Sequence, residues 1–129
     1  MNILSQPVKR YIEDNISLLD NGKYRLFFYG ALFALPPTYG KELATVCRDV
    51  LGIDTDLAIQ EALVDWCTDN VALHHYKKVG VSQLLKLLPN FGYDSLTFRS
   101  MFIDAVKTAY PNKTVLPDSY GIEYIVEKD

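Results

Sequence analysis

Apolar residues along most of this chain recur every three or four positions, which is the spacing of one face of an α-helix. The first such stretch follows Ser5 and Pro7, two residue types that favour helix N-termini, and it continues to Leu19. Gly22 then supplies the left-handed conformation with which many helices end. This pattern predicts one helix from the region of Pro7 to residue 20.

Residues 24–35 are apolar on every face, and a helix of this kind normally lies in the centre of a protein core. The aromatic cluster at 27–29 would also suit a buried strand. We interpret the segment as a helix, because no convincing partner strand lies nearby in the sequence. Two prolines, Pro36 and Pro37, end it.

Four further segments show helical patterning. One of them begins at Asp54 or Thr55 and either ends at Asn70 or continues to Lys78, so the sequence leaves open whether residues 55–78 form one helix or two. The four are expected at 38–51, from 54 or 55 to 70 or beyond, at 83–88 and at 94–109.

The tail beyond residue 112 has a different pattern. Residues with high β-propensity at 114–116 and 122–126 flank a turn-forming stretch at 117–121, and this arrangement is typical of a short hairpin docked on other elements. The sequence thus predicts an all-α, compact single domain over 1–129. It is a bundle of five to seven helices with a central apolar helix and a tail, 112–129, that is extended or a short β-hairpin.

The composition agrees with one ordinary globular domain. The chain has 129 residues, 49 % of them hydrophobic, and a formal net charge of −3. Cys47 and Cys67 give no disulfide framework, and the N-terminus lacks a signal-peptide pattern. The most apolar run, 26–35, is too short to span a bilayer. We therefore expect a cytoplasmic protein without membrane contact, and no cofactor or metal site is indicated.

The small net charge conceals the fact that acidic and basic residues are concentrated in different parts of the chain. Between Asp49 and Asp69 there are six acidic residues and no basic one, whereas residues 74–113 hold six bases and two acids. On a helix with about 100° per residue, four of these acids fall within about 80° of one another, opposite the apolar positions. This acidic stripe is either an ordinary solvated face or a surface for a basic partner. Its members are Asp54, Glu61, Asp65 and Asp69.

Nine tyrosines are many for this length, and tyrosine is enriched at protein interfaces. Four of them fall outside the regular apolar stripes, in turns or in the tail. They either pack on the bundle or form an exposed aromatic surface together with Phe91. These four are Tyr93, Tyr110, Tyr120 and Tyr124.

The leading hypothesis is a non-catalytic protein-interaction module: an adaptor, an assembly subunit or a small inhibitor. It would bind another protein, or a second copy of itself, through the acidic stripe and the tyrosine-rich C-terminal region. Segregated charge and abundant tyrosine favour this function, and none of the common catalytic motifs is present.

Two alternatives stay open. An enzyme with an unrecognised site near His74 is one, since His74 and His75 are the only histidines. The other is nucleic-acid binding through a degenerate helix-turn-helix at 70–88, although its leucine-rich second helix is typical of a buried element. The candidate nucleic-acid contacts are Lys77, Lys78, Gln83 and Lys86.

Overall fold

The computed structural model describes residues 4–71, 78–117, 119–121 and 123–127. Within these ranges the mostly helical fold class is confirmed, with seven α-helices, one 3₁₀ turn and three short strands. The helices are α1 (Gln6–Asp14), α2 (Ile16–Asp20), α3 (Tyr24–Ala34), α4 (Gly40–Asp49), α5 (Thr55–Asn70), α6 (Val81–Leu85) and α7 (Ser95–Ala109). The 3₁₀ turn is Pro37–Tyr39, and the strands are β1 (Lys78–Gly80), β2 (Lys113–Pro117) and β3 (Glu123–Glu127).

Helix α5 lies between α3 and α7 and supplies much of the core. Gln60 Nε2 donates to the carbonyl of Met101 at 2.9 Å, and Tyr110 Oη donates to the carbonyl of Thr68 at 2.6 Å. The earlier residue of α5 contacts the earlier residue of α7, and the later contacts the later, so the two helices are parallel. The largest fully buried side chains of the core include Phe27, Phe28, Leu43, Ile59, Leu63 and Phe102.

The apolar segment at 24–35 is a helix, as the sequence predicts. Four residues of α3 are buried in the core, while Leu26 and Phe33 on its other side are exposed. Part of the apolar surface of α3 is therefore exposed to solvent, although a helix that is apolar on every face is normally buried. The four buried residues are Phe27, Phe28, Ala31 and Leu32.

The single helix expected near the N-terminus is instead two helices, α1 and α2. Asn15 separates them with φ −121° and ψ 22°, outside the helical region. At the break, Asn15 Nδ2 donates to the carbonyl of Tyr11 at 2.9 Å, and its backbone N–H donates to the carbonyls of Tyr11 and Ile12. Asparagine competes in this way with regular helical bonding.

The middle of the chain also differs from the predicted elements. Helix α5 begins at Thr55 and ends at Asn70, so residues 55–78 are not one continuous helix. Helix α6 covers Val81–Leu85 rather than 83–88. In the described part of the alternative helix-turn-helix at 70–88, Lys78–Gly80 forms a strand and α6 begins directly after it at Val81.

The C-terminal hairpin is confirmed and belongs to a three-stranded antiparallel sheet of order β1-β3-β2. Strand β3 is central: Ile125 pairs with Val79 of β1 on one side and with Val115 of β2 on the other. Strand β1 was not expected from its three-residue sequence, and its pairing joins the middle of the chain to the tail. Among the described helices, none has both the length and the apolar content needed to cross a bilayer.

Candidate interaction surface

The four residues of the acidic stripe lie on α5 or at its N-terminus, as predicted. Asp54 caps the helix, since its Oδ1 accepts from the backbone N–H of Leu57 at 3.2 Å. Glu61 and Asp65 are partly exposed and Asp69 is exposed. The opposite, apolar side of α5 is buried, as the helical spacing predicts; it includes Ile59, Leu63 and Trp66.

Helix α3 supplies the only basic partner that the structure gives this stripe among the described residues. Arg25 Nε donates to Asp65 Oδ2 at 2.6 Å, Arg25 Nη2 donates to Asp65 Oδ1, and Arg25 Nη1 lies 3.6 Å from Glu61 Oε2. The hydrogen bond to Asp65 is the main reason that the pKa of Arg25 is raised. Two of the four carboxylates therefore share one cation, and the stripe keeps an excess of negative charge.

One helical turn further along, a tyrosine makes a similar contact. Tyr29 Oη donates to Asp69 Oδ2, and this hydrogen bond, with a smaller contribution from burial, raises the pKa of Tyr29 to about 12. Arg25 thus meets Asp65 and Tyr29 meets Asp69, so α3 and α5 also run in the same direction. The acidic stripe is the edge of a helix–helix seam rather than a fully solvated face.

A groove of about 430 Å³ opens beside this seam, between the N-terminal halves of α3 and α5. We call it the α3–α5 groove. Its apolar lining includes Leu26, which is 50 % exposed, and Leu57, which is 57 % exposed. Asp54 and Glu61 of the acidic stripe also line it. Leu57 lies three residues after Asp54 and four before Glu61, so these three share one face of α5.

The exposed apolar surface continues along α3 to Phe33, which is 58 % exposed. Phe33 follows Leu26 by seven residues, about 10.5 Å along the helix axis. Its ring contacts the ring of Tyr29 with centroids 5.2 Å apart. Leu26, Tyr29 and Phe33 therefore line one side of α3 next to the acidic stripe of α5.

Two of the predicted partner-binding tyrosines are engaged with α5 itself. Tyr93 Oη donates to Asp56 near the N-terminus of α5, and Tyr110 Oη donates to the carbonyl of Thr68 near its C-terminus. Twelve residues separate the two contact points, which is about 18 Å along the helix. Burial and the bond to Asp56 raise the pKa of Tyr93 well above its usual value.

The expected aromatic surface near the C-terminus is therefore not gathered in one place. Tyr120 is exposed in the loop before β3, and Tyr124 lies within β3, paired with Gly80 of β1. Phe91 is buried and meets the ring of Phe28 edge to face, with centroids 5.6 Å apart. The tyrosine-rich region is distributed over three parts of the fold.

The residues of the two alternatives are only partly described. His74, His75 and Lys77 lie outside the described residues, as does the side chain of Lys78. Gln83 is exposed on α6, and Lys86 is exposed just after it. The nucleic-acid and enzyme hypotheses stay predictions.

The described part of the chain contains no group of three or more His, Cys, Asp or Glu residues placed to hold a metal ion. Cys47 and Cys67 are fully buried, and burial raises the pKa of each thiol to about 12. Each thiol is therefore neutral at ordinary pH, and neither has the thiolate character that nucleophilic chemistry requires.

Reasoning from the sequence missed Leu26, Leu57 and Phe33. The signal for Leu57 was present, because an apolar residue interrupts the acidic stripe at helical spacing. No signal marked Leu26 and Phe33, since every face of their helix is apolar and the sequence does not show which face remains uncovered.

Comparison with protein-family models, curated proteins and solved structures gives no significant match to this chain.

Proposed function

We propose that this chain is a non-catalytic protein-interaction module whose binding surface is the α3–α5 groove together with Phe33 farther along α3. The observation that carries the proposal is the exposure of Leu26 and Leu57, from two different helices, in one groove. Apolar area of this kind gains about 25 cal/mol per Å² when a partner covers it. Adaptor, assembly subunit and small inhibitor are the roles that fit such a module.

The charge around the groove favours a basic partner. Two acids and two bases line the groove, and two further acids, Asp65 and Asp69, extend the acidic stripe along α5, so the surface keeps an excess of negative charge. A partner segment with apolar anchors and flanking Lys or Arg residues would meet both features. Such complementarity mainly accelerates association and sets specificity. The lining acids are Asp54 and Glu61, and the lining bases are Lys23 and Arg25.

The tyrosines contribute less to this surface than the sequence predicts. Tyr93 and Tyr110 bond to α5, and Tyr29 bonds to Asp69, so these rings stabilise the helix that carries the acids. Tyr120 and Tyr124 stay predicted partner-binding residues of a separate region.

Site-specific photo-crosslinking in the native cells tests the proposal. A photoreactive residue at position 57 should yield one defined crosslinked protein, which is then purified and titrated against the unmodified chain. Leu57→Asp should weaken this binding at least about tenfold, because it places a charge in the contact. Glu61→Lys should slow association in a salt-dependent way.

Leu96 provides the matched control. It is 76 % exposed on the first turn of α7 and does not line the α3–α5 groove. Leu96→Asp should leave the affinity unchanged, and both variants should melt like the parent chain since neither position is buried. Equal loss of binding in both variants, or crosslinking from position 96 alone, would reject this surface.

A further inference from the structure

A second groove, of about 330 Å³, lies between α6 and α7, and none of its described lining residues is acidic. Each side contributes a serine and, four residues later, a basic residue: Ser82 and Lys86 from the α6 side, Ser95 and Arg99 from α7. Residues four apart share one face of a helix. Two hydroxyls and two cations therefore converge on one groove from opposite sides.

In both stretches an apolar residue directly precedes the basic residue. Leu85 follows Ser82 by three positions, and Phe98 follows Ser95 by three, so the stretches SQLLK and SLTFR follow one pattern. Leu85 is partly exposed, whereas Phe98 is buried beneath the groove. The groove thus combines a polar rim of hydrogen-bond donors with an apolar wall.

Donor capacity remains on both cations. Arg99 Nη2 donates to Ser82 Oγ at 3.2 Å, and Arg99 Nε lies 3.7 Å from Glu123 Oε2. The hydrogen bond to Ser82 occupies one of the five N–H groups that a guanidinium carries, while the contact with Glu123 is an ion pair without a hydrogen bond. Asn90 adds a further donor, because its Oδ1 accepts from the N–H of Gly92 at 3.0 Å and leaves its amide N–H groups available.

The nearest acids are directed elsewhere. Asp94 caps α7, where its two oxygens accept from the backbone N–H of Thr97 at 2.8 Å and from Thr97 Oγ1 at 3.0 Å. Glu123 sits in the sheet, in contact with Arg99, and its Oε2 is buried without a hydrogen bond. Arg99 therefore forms an ion pair with Glu123 of the sheet, and its remaining N–H groups are available to a ligand in the groove.

We propose that the α6–α7 groove binds a phosphomonoester with an apolar or aromatic substituent. The dianion matches the two cations, since a phosphomonoester carries close to two negative charges at pH 7. Its oxygens accept from Lys86, from Arg99 and from the two serines, and the substituent covers Leu85. The site lies on a different pair of helices from the α3–α5 groove and does not depend on the function proposed there.

Calorimetric titration of the full chain with phenyl phosphate tests the site. We expect saturable binding of one phenyl phosphate per chain, and weaker binding of inorganic phosphate, which lacks the ring. Phenyl sulfate has nearly the same shape with a single charge, so it should bind about tenfold more weakly. Lys86→Gln should weaken phenyl phosphate binding about tenfold, because a charge-assisted hydrogen bond is lost.

Two further variants test whether the effect of Lys86→Gln is specific to the groove. Lys107→Gln removes an exposed cation from α7 outside the groove and should leave the affinity unchanged. Glu123→Gln removes the competing anion from Arg99 and should tighten binding. Absence of saturable binding up to about 10 mM phenyl phosphate, a Kd that corresponds to about 2.7 kcal/mol of binding free energy, would overturn the proposal. Equal effects of Lys86→Gln and Lys107→Gln would also overturn it.

Discussion

At the scale of single residues, Gly30 shows how closely α1 approaches α3. A Cβ atom at Gly30 would lie 2.6 Å from Tyr11 Oη, whose hydroxyl donates to the carbonyl of Phe27. Tyr11 is buried, so its ring has little room to move. Glycine at this helical position is therefore required by a neighbouring side chain rather than by backbone conformation.

We expect Gly30→Ala to lower the free energy of unfolding by about 1–3 kcal/mol, because it overpacks this contact. In a Tyr11→Phe background the same change should be neutral or stabilising. The hydroxyl is then absent, the next ring atom is 3.7 Å away, and alanine favours a helix over glycine by about 1 kcal/mol. Urea unfolding of the four proteins in this double-mutant cycle measures the difference. Additive effects would contradict the contact.

The two cysteines allow a second prediction at this scale. Cys47 and Cys67 are fully buried with thiol pKa values of about 12, so at pH 8 only roughly one in ten thousand is ionised. We expect almost no reaction with an aromatic disulfide reagent in the folded protein and two equivalents after denaturation. Rapid labelling of the folded chain would show that these side chains are accessible.

At the scale of elements, periodic apolar patterning predicted α7 and the start of α5 well, whereas α3 was predicted from a continuous apolar run and the hairpin from β-propensity around a turn. Apolar patterning failed where a side-chain hydrogen bond or pairing with a distant segment determines the secondary structure. The first helix is interrupted at Asn15, whose side chain donates to the carbonyl of Tyr11, and a hydrophobic pattern does not reveal such bonding. Strand β1 exists through its pairing with β3, a partner more than forty residues away.

The same distinction applies to the candidate site. Helical spacing placed the acids of α5 on one face, with Ile59 and Leu63 on the opposite face. The seam with Arg25 depends on how α3 docks, and so does the uncovered face that bears Leu26 and Phe33. These are tertiary facts that one sequence does not contain.

Strand β3 leads to a prediction at this scale. Ile125 is buried in the central strand, between Val79 and Val115 of its two neighbours. Ile125→Ala should lower the free energy of unfolding by about 2–4 kcal/mol, since it leaves a cavity. Leu116→Ala in the edge strand β2 is the control. Leu116 is half exposed, so the loss should stay within about 0.5 kcal/mol. Similar losses in both variants, measured by urea unfolding, would contradict the central position of β3.

At the scale of the whole molecule, both thiols and three tyrosines have pKa values that are higher in the folded chain than in the unfolded chain. Burial raises the pKa of both thiols and of Tyr11, and hydrogen bonding to carboxylates contributes for Tyr29 and Tyr93. Each group keeps its proton in the folded chain at a pH where the unfolded chain has lost it. The stability that these groups contribute is therefore complete below pH 9 and declines as the pH rises above their ordinary values.

We accordingly expect alkaline unfolding to begin early. Above pH 9 the unfolded chain releases the protons of Cys47 and Cys67, which the folded chain retains to about pH 12. Each thiol should then lower the free energy of unfolding by about 1.4 kcal/mol per pH unit. Tyrosines steepen the decline above pH 10, so Tyr11→Phe should flatten it in that range only. Urea midpoints measured between pH 8 and pH 11 test this. A constant midpoint across that range would show that these groups titrate alike in both states, because only a difference in bound protons links stability to pH.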